Sequence, residues 1–215
     1  MHLDFPGPAG SLEALLDTAV DESMGPPLQL PRAAVVFAHP LPTQGGTMHT
    51  KAVFQGSKGL VRIGCAVLRF NFRGVGASQG TFDEGRGEVD DFRAALDFMQ
   101  ARYPNVPLWA AGFSFGAWVA LETGAADRRV SVLIGIAPPV TRQGYSFEHT
   151  LASTKPKFFV QGDMDEICPV RDLWAFYAKL HEPKELVLID GANHLFETKT
   201  EEVGEALEGL LGDME

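Results

Sequence analysis

The sequence predicts an α/β protein with a mostly parallel central sheet and helices on both faces. Short apolar runs recur at 33–38, 65–70, 108–112, 130–136, 157–160 and 185–189. Each closes at Gly, Pro, Asn or Asp, as strands buried on both faces do. Segments with helical spacing lie between them, and such alternation is the pattern of a layered α/β sheet. In 88–103 the apolar residues Val89, Phe92, Leu96 and Met99 recur at close to helical spacing, and 114–126, 170–180 and 201–211 also read as helices. Up to Pro31, Leu12, Ala14, Leu15 and Leu16 sit between turn residues, which predicts one or two antiparallel strands at the sheet edge.

With 215 residues, 45% hydrophobic and 21% charged, the chain fits one globular domain spanning 1–215. No repeat or linker divides it. A net charge of −10 argues against nucleic acid, whose phosphates need clustered Lys and Arg. No apolar run nears the roughly eighteen residues of a membrane span, and residues 1–6 lack the charged and apolar regions of a signal peptide. A cytoplasmic protein is expected. Cys65 and Cys168 form no CxxC pair, so neither a zinc site nor a redox couple is expected. Cys65 reads as a buried, inert thiol and Cys168 as a neighbour of a cleft, inert by default.

Gly112, Phe113, Ser114, Phe115 and Gly116 match G-x-S-x-G, the nucleophile elbow. The pattern is weak alone; its weight comes from the strand-like run before it and the apolar helical run after it. In such a turn the serine is strained so that its hydroxyl stands clear, and the two glycines let strand and helix pass closely. The helix start aims free N–H groups at a developing oxyanion, Phe115 supplying one.

A serine hydroxyl needs a base, and the base needs an orienting carboxylate. The chain order for this elbow is Ser, acid, His. Asp165 follows the run at 157–160 and His194 follows the run at 185–189, so both fall past strand carboxyl ends, where α/β proteins place ligands. Asp163 and Glu166 flank Asp165 as alternatives, Asp163 reading as a turn former. His2, His49 (at an expected helix start), His149 and His181 compete poorly, and His39 reads as shaping its own loop. In that loop Pro40 and Pro42 have no N–H, which leaves Leu41 as the second oxyanion donor. The segment 71–78 misses the dinucleotide G-x-G-x-x-G spacing; Arg73 is expected to tie it to the acidic stretch 84–91.

Together these segments resemble small, lidless α/β-hydrolases, mostly bacterial, related to the dienelactone-hydrolase branch. The marks are Gly7–Gly10, His39-Pro40 with Gly45-Gly46-Thr47-Met48, residues 71–78, the elbow, residues 162–165, and Asn193-His194-Leu195-Phe196. Leu41 stands where the family typically has a second histidine, and Ser114 where dienelactone hydrolases have cysteine; the latter speaks against a dienelactone substrate. The resemblance implies an α/β-hydrolase fold and hydrolysis of short acyl esters, a small-molecule substrate class, without cofactor or metal. Only about twenty residues, 137–156, separate two of the runs, too few for a separate lid domain. An open site walled by Tyr145, Phe147 and Phe113 is expected. Thioesterase, peptidase or amidase activity with the same three residues, or a non-catalytic binding module, are the competing readings.

Overall fold

The computed structural model describes residues 1–19 and 30–214. Among these residues eight strands form one sheet: β1 (His2–Gly7), β2 (Gly10–Asp17), β3 (Ala34–Ala38), β4 (Ala66–Phe70), β5 (Leu108–Phe113), β6 (Val130–Ile136), β7 (Lys157–Gly162) and β8 (Lys184–Ile189). Their order is β1-β2-β4-β3-β5-β6-β7-β8. β1 and β2 form a hairpin that joins β4 antiparallel; every other pairing is parallel. The expected edge strands are therefore present, while residues 20–29 of that N-terminal stretch lie outside the described residues.

Parallel neighbours need a crossover, and helices supply it. α1 (Lys51–Arg62) links β3 to β4, α2 (Arg86–Arg102) links β4 to β5, and α3 (Phe115–Ala126) links β5 to β6. After β6 come α4 (Glu148–Ala152), α5 (Val170–Tyr177) and α6 (Thr200–Gly212). Successive residues of a strand face opposite sides. Val35 and Phe37 accordingly join one core with Val53 and Leu60 of α1 and Val203, Leu207 and Leu211 of α6. Ala34, Val36 and Ala38 join the other, with Phe92, Leu96 and Met99 of α2 and Val119 and Leu121 of α3. On β2, Leu12, Ala14 and Leu16 are buried and the residues between them are not, the period-two pattern of a one-sided strand. A one-residue slip would turn all three to solvent, which fixes the register.

The element boundaries shift by a few residues from the sequence expectation, as helix ends commonly do. β8 departs more: its run reads as buried on both faces, yet Leu188 is 40% exposed. It is the last strand of the sheet, and among the described residues only β7 pairs with it, so one flank is uncovered. The 137–156 connection carries the five-residue α4 and nothing longer, so the protein has an α/β-hydrolase fold without a lid domain. Among the described residues no helix is long and apolar enough to cross a membrane.

Candidate active site

Ser114 is the N-cap of α3 with φ 54° and ψ −119°, outside the allowed wells of a residue with a Cβ. The neighbouring packing holds it there: its N–H donates to Ile136 O (2.9 Å), and its carbonyl accepts from Ala117 N (2.9 Å). Both elbow glycines are required by contact. A Cβ on Gly116 would lie 2.5 Å from Ala38 O, and one on Gly112 2.1 Å from Gly116 O. α3 thus starts against the ends of β3 and β5, and the Phe115 N–H at its start has no acceptor among the described residues.

β8 lies three strands from β5, a distance of roughly 14 Å, so the chain after it must double back. It does so across the end of β7. Met164 N–H donates to Ala192 O (3.1 Å), and Asp163 Oδ1 accepts from Gly191 N (2.7 Å). Asp163 is thus a turn former, as its position suggests. Gly162 lets the crossing chain through, since a Cβ there would sit 2.3 Å from Ala192 O. The result brings three separated side chains together. Ser114 Oγ lies 2.9 Å from His194 Nε2, and His194 Nδ1 donates to Asp165 Oδ2 at 2.8 Å.

Asp165 and His194 are buried, 4% and 6% exposed. A buried carboxylate is tolerable only when its lone pairs are occupied. Asp165 Oδ1 accepts from Ile167 N (2.9 Å) and Cys168 N (2.7 Å); Oδ2 accepts from His194 and from Gln161 Nε2 (2.9 Å). Gln161 also donates to Cys168 O at 2.8 Å, so the opposite amide orientation would set its oxygen against two acceptors. Gln161 is a residue the sequence reading missed; the signal was a polar side chain at the end of an otherwise apolar strand. Beneath the imidazole, the Phe113 ring sits 5.4 Å from the His194 ring, and Phe196 packs edge-on to Phe113 at 5.9 Å.

Cys168 lies within reach of Asp165 and His194. Burial, with the Asp165 charge adding to it, pushes the thiol up to about 12. It is therefore protonated at neutral pH, and a protonated thiol is a poor nucleophile. Cys65 is likewise pushed up to about 12 by burial.

The cleft at Ser114 holds about 190 Å³ and is lined by Leu41, Gln44, Phe115, Arg142, Tyr145 and His194, together with Pro139, Thr141 and Ile167. Tyr145 is a wall as expected. Phe113 and Phe147 are not: Phe113 is fully buried under His194, and Phe147 turns inward to Phe176, ring centroids 5.1 Å apart. Leu41 stands between its two prolines with its carbonyl accepting from Gln44 N and Gly46 N, both at 3.1 Å. Its own N–H has no acceptor among the described residues.

His39 shapes the loop. Nδ1 donates to Pro40 O (2.7 Å) and Nε2 accepts from Phe72 N (3.1 Å), joining the loops after β3 and β4. Accepting at Nε2 requires the neutral ring, and burial holds the group down to about 4. The unfolded chain binds this proton near 6.5 and the native chain near 4, so acid favours unfolding. Stability is fully present above 6.5 and falls through that window, by about 3 kcal/mol between pH 7 and pH 4 from this group alone. Urea unfolding at both pH values should show a steeper acid loss in the native protein than in His39→Gln; equal slopes would remove His39 from the account. Arg73 pairs with Asp91 (2.7 Å) and ties segment 71–78 to α2, so that motif is structural. His49 is exposed in the turn ahead of α1.

A family model described as serine aminopeptidase, S33 (Hydrolase_4) matches residues 29–154, a range that includes Leu41, Ser114 and Phe115. The chain belongs to this hydrolase family. An uncharacterized protein of Rickettsia prowazekii is 38% identical over 96% of this chain and 87% of its own length. The fold is similar to that of an α/β serine hydrolase homologue from Coxiella burnetii: TM-score 0.87, 36% identity, covering 98% of this chain and 97% of that one. A serine hydrolase without a lid from Xanthomonas campestris is similar at TM-score 0.84 and 36% identity, over 97% of this chain and 92% of that one. The fold shared with these two structures extends past the residues that the family model matches and includes the Asp165 and His194 segments.

Proposed function

We propose that the protein is a cytoplasmic serine esterase that cleaves short acyl esters through an acyl-enzyme. The observation that supports this most is the unbroken relay from Ser114 through His194 to Asp165. In this reading His194 Nε2 takes the hydroxyl proton as Ser114 Oγ attacks the ester carbonyl. Leu41 and Phe115 N–H groups receive the developing oxyanion. His194 returns its proton to the departing alcohol; water, activated by the same imidazole, then releases the acid and restores Ser114. Asp165 stabilises the imidazolium and keeps its tautomer.

An aminopeptidase, which the family's description names, must hold a substrate ammonium. Among the described residues no Asp or Glu lines the cleft, and Arg142 puts a positive charge there instead. That favours an ester over a free amino terminus. Kinship with the dienelactone-hydrolase branch is the finer placement that the motifs suggest, with Ser114 in place of cysteine speaking against that branch's lactone.

A cleft of about 190 Å³ is smaller than the roughly 300–1,000 Å³ of drug-sized sites. Each methylene buried is worth about 0.8 kcal/mol, but methylenes beyond the first few stay in water here. With p-nitrophenyl esters and thioesters of graded length, and Ser114→Ala as blank, kcat/KM should peak at acetyl to butyryl and drop by octanoyl. A monotonic rise through dodecanoyl, below micelle concentrations, would overturn the short-acyl reading; equal turnover by the blank would overturn the serine mechanism.

A further inference from the structure

Arg69, Arg73 and Arg129 each pair with a carboxylate, in keeping with a chain that carries ten more acidic than basic charges. Arg142 differs. It has no carboxylate in ion-pair range among the described residues, although it lines the same small cleft as Ser114 and His194. Its guanidinium is held over the Tyr145 ring, 5.6 Å from the centroid. Tyr145 in turn stacks on Trp118 at 4.3 Å and 9°, and Trp118 Nε1 donates to Ser146 O at 2.8 Å. Trp118 belongs to α3, the helix that Ser114 caps, so cation and nucleophile are positioned by one element. The backbone agrees: Arg142 N–H donates to Pro139 O (3.1 Å), and its carbonyl accepts from Tyr145 N (3.2 Å).

A guanidinium carries five N–H donors in a planar fork, so Arg142, although it also touches the Tyr145 side chain, keeps donors that match a carboxylate. Thr141 and Gln44 add neutral donors to the lining of the cleft, and Leu41, Phe115 and Ile167 add apolar surface. From these positions we propose that Arg142 is a carboxylate subsite, and that the preferred substrates are short esters bearing a free carboxylate a few atoms from the scissile bond. The chemical class is the hemiester of a short dicarboxylic acid. One cation and a cleft of about 190 Å³ suit a monoanionic carboxylate better than a bulkier phosphate dianion. The inference rests on the serine-esterase reading and narrows its substrate.

The test compares monomethyl glutarate with dimethyl glutarate by pH-stat, with p-nitrophenyl acetate as a general ester. The wild-type protein should favour the monoester in kcat/KM. Arg142→Gln should lower the monoester-to-diester ratio ten- to a hundredfold, the range of a charge-assisted contact. Arg142→Lys, which keeps the charge and loses the fork, should fall between. Added salt should erode the wild-type preference, because the subsite opens to solvent. A ratio that does not change in Arg142→Gln, with p-nitrophenyl acetate still turned over by the wild type, overturns the subsite and leaves the esterase. Wild-type protein that cleaves none of the three esters overturns the esterase reading and the subsite with it.

Discussion

His194→Ala is expected to lower kcat by about a thousandfold or more while leaving the fold intact. Ser114 Oγ has its proton acceptor in His194 Nε2 at 2.9 Å, and among the described residues no other imidazole lines the cleft. Without it the hydroxyl attacks as an alcohol, and the departing alcohol receives no proton. When serine, base and acid act as a unit, losing the serine or the base removes nearly the whole advantage of the group. Ser114→Ala should therefore match His194→Ala rather than add to it in the double variant. The truncation also leaves Asp165 with three donors instead of four, a modest stability loss of about 1–3 kcal/mol that unfolding curves will separate from the kinetic one. A fluorophosphonate probe gives an independent readout: one adduct on the wild type, none on Ser114→Ala, and much slower labelling of His194→Ala. His49→Ala and His149→Ala, both exposed and outside the cleft, serve as comparisons. Either of them losing as much activity as His194→Ala would contradict the relay.

The three polar residues of that relay were legible in the sequence because each is tied to a strand end by short-range signals. An apolar run followed by G-x-S-x-G places Ser114, and two later runs, each closing in Asp or Gly, place Asp165 and His194. What surrounds them depends on which way side chains turn, and that is set by contacts distant in sequence. Phe113 adjoins Ser114 and reads as a wall. Yet β5 alternates, and Trp109, Ala111 and Phe113 share the face that packs on α1 and α6. Period two alone would have sent Phe113 under His194 instead of into the cleft. Phe147 turns inward because α5 presents Phe176 to it, a pairing across 29 positions that no local pattern announces. Arg142 was not legible at all: its place over Tyr145 is a property of how the 137–156 connection lies on Trp118. Gln161 lies between these cases, a carboxamide among apolar neighbours whose partner, Asp165, is four residues on.

Gly112→Ala is expected to destabilise the protein by about 4 kcal/mol or more, well beyond an ordinary single substitution. The added Cβ would meet Gly116 O at 2.1 Å, Gly116 C at 2.3 Å and Ala117 N at 2.6 Å, all backbone atoms of the first turn of α3. Neither side can yield cheaply. β5 is paired on both flanks, with β3 and β6, so the strand cannot retreat. Gly116 is itself pressed on the β3 end, where Ala38 O and His39 O occupy the space beyond it. The helix would have to lift from the sheet and uncover Val119, Ala120 and Leu121, which are fully buried. For a chain of this size the loss corresponds to a fall in Tm on the order of 10 °C. Gly209→Ala is the matched comparison: it lies in α6, nothing stands within 4 Å of the new Cβ, and replacing a helical glycine should stabilise by up to about 1 kcal/mol. Thermal and urea unfolding of the two variants should therefore move in opposite directions. If Gly112→Ala melts with the wild type, strand and helix are not in backbone contact at the elbow, and the strain at Ser114 needs another origin. Whatever of Gly112→Ala does fold should still lose turnover, because lifting α3 carries the Phe115 N–H and the Ser114 hydroxyl away from His194 together.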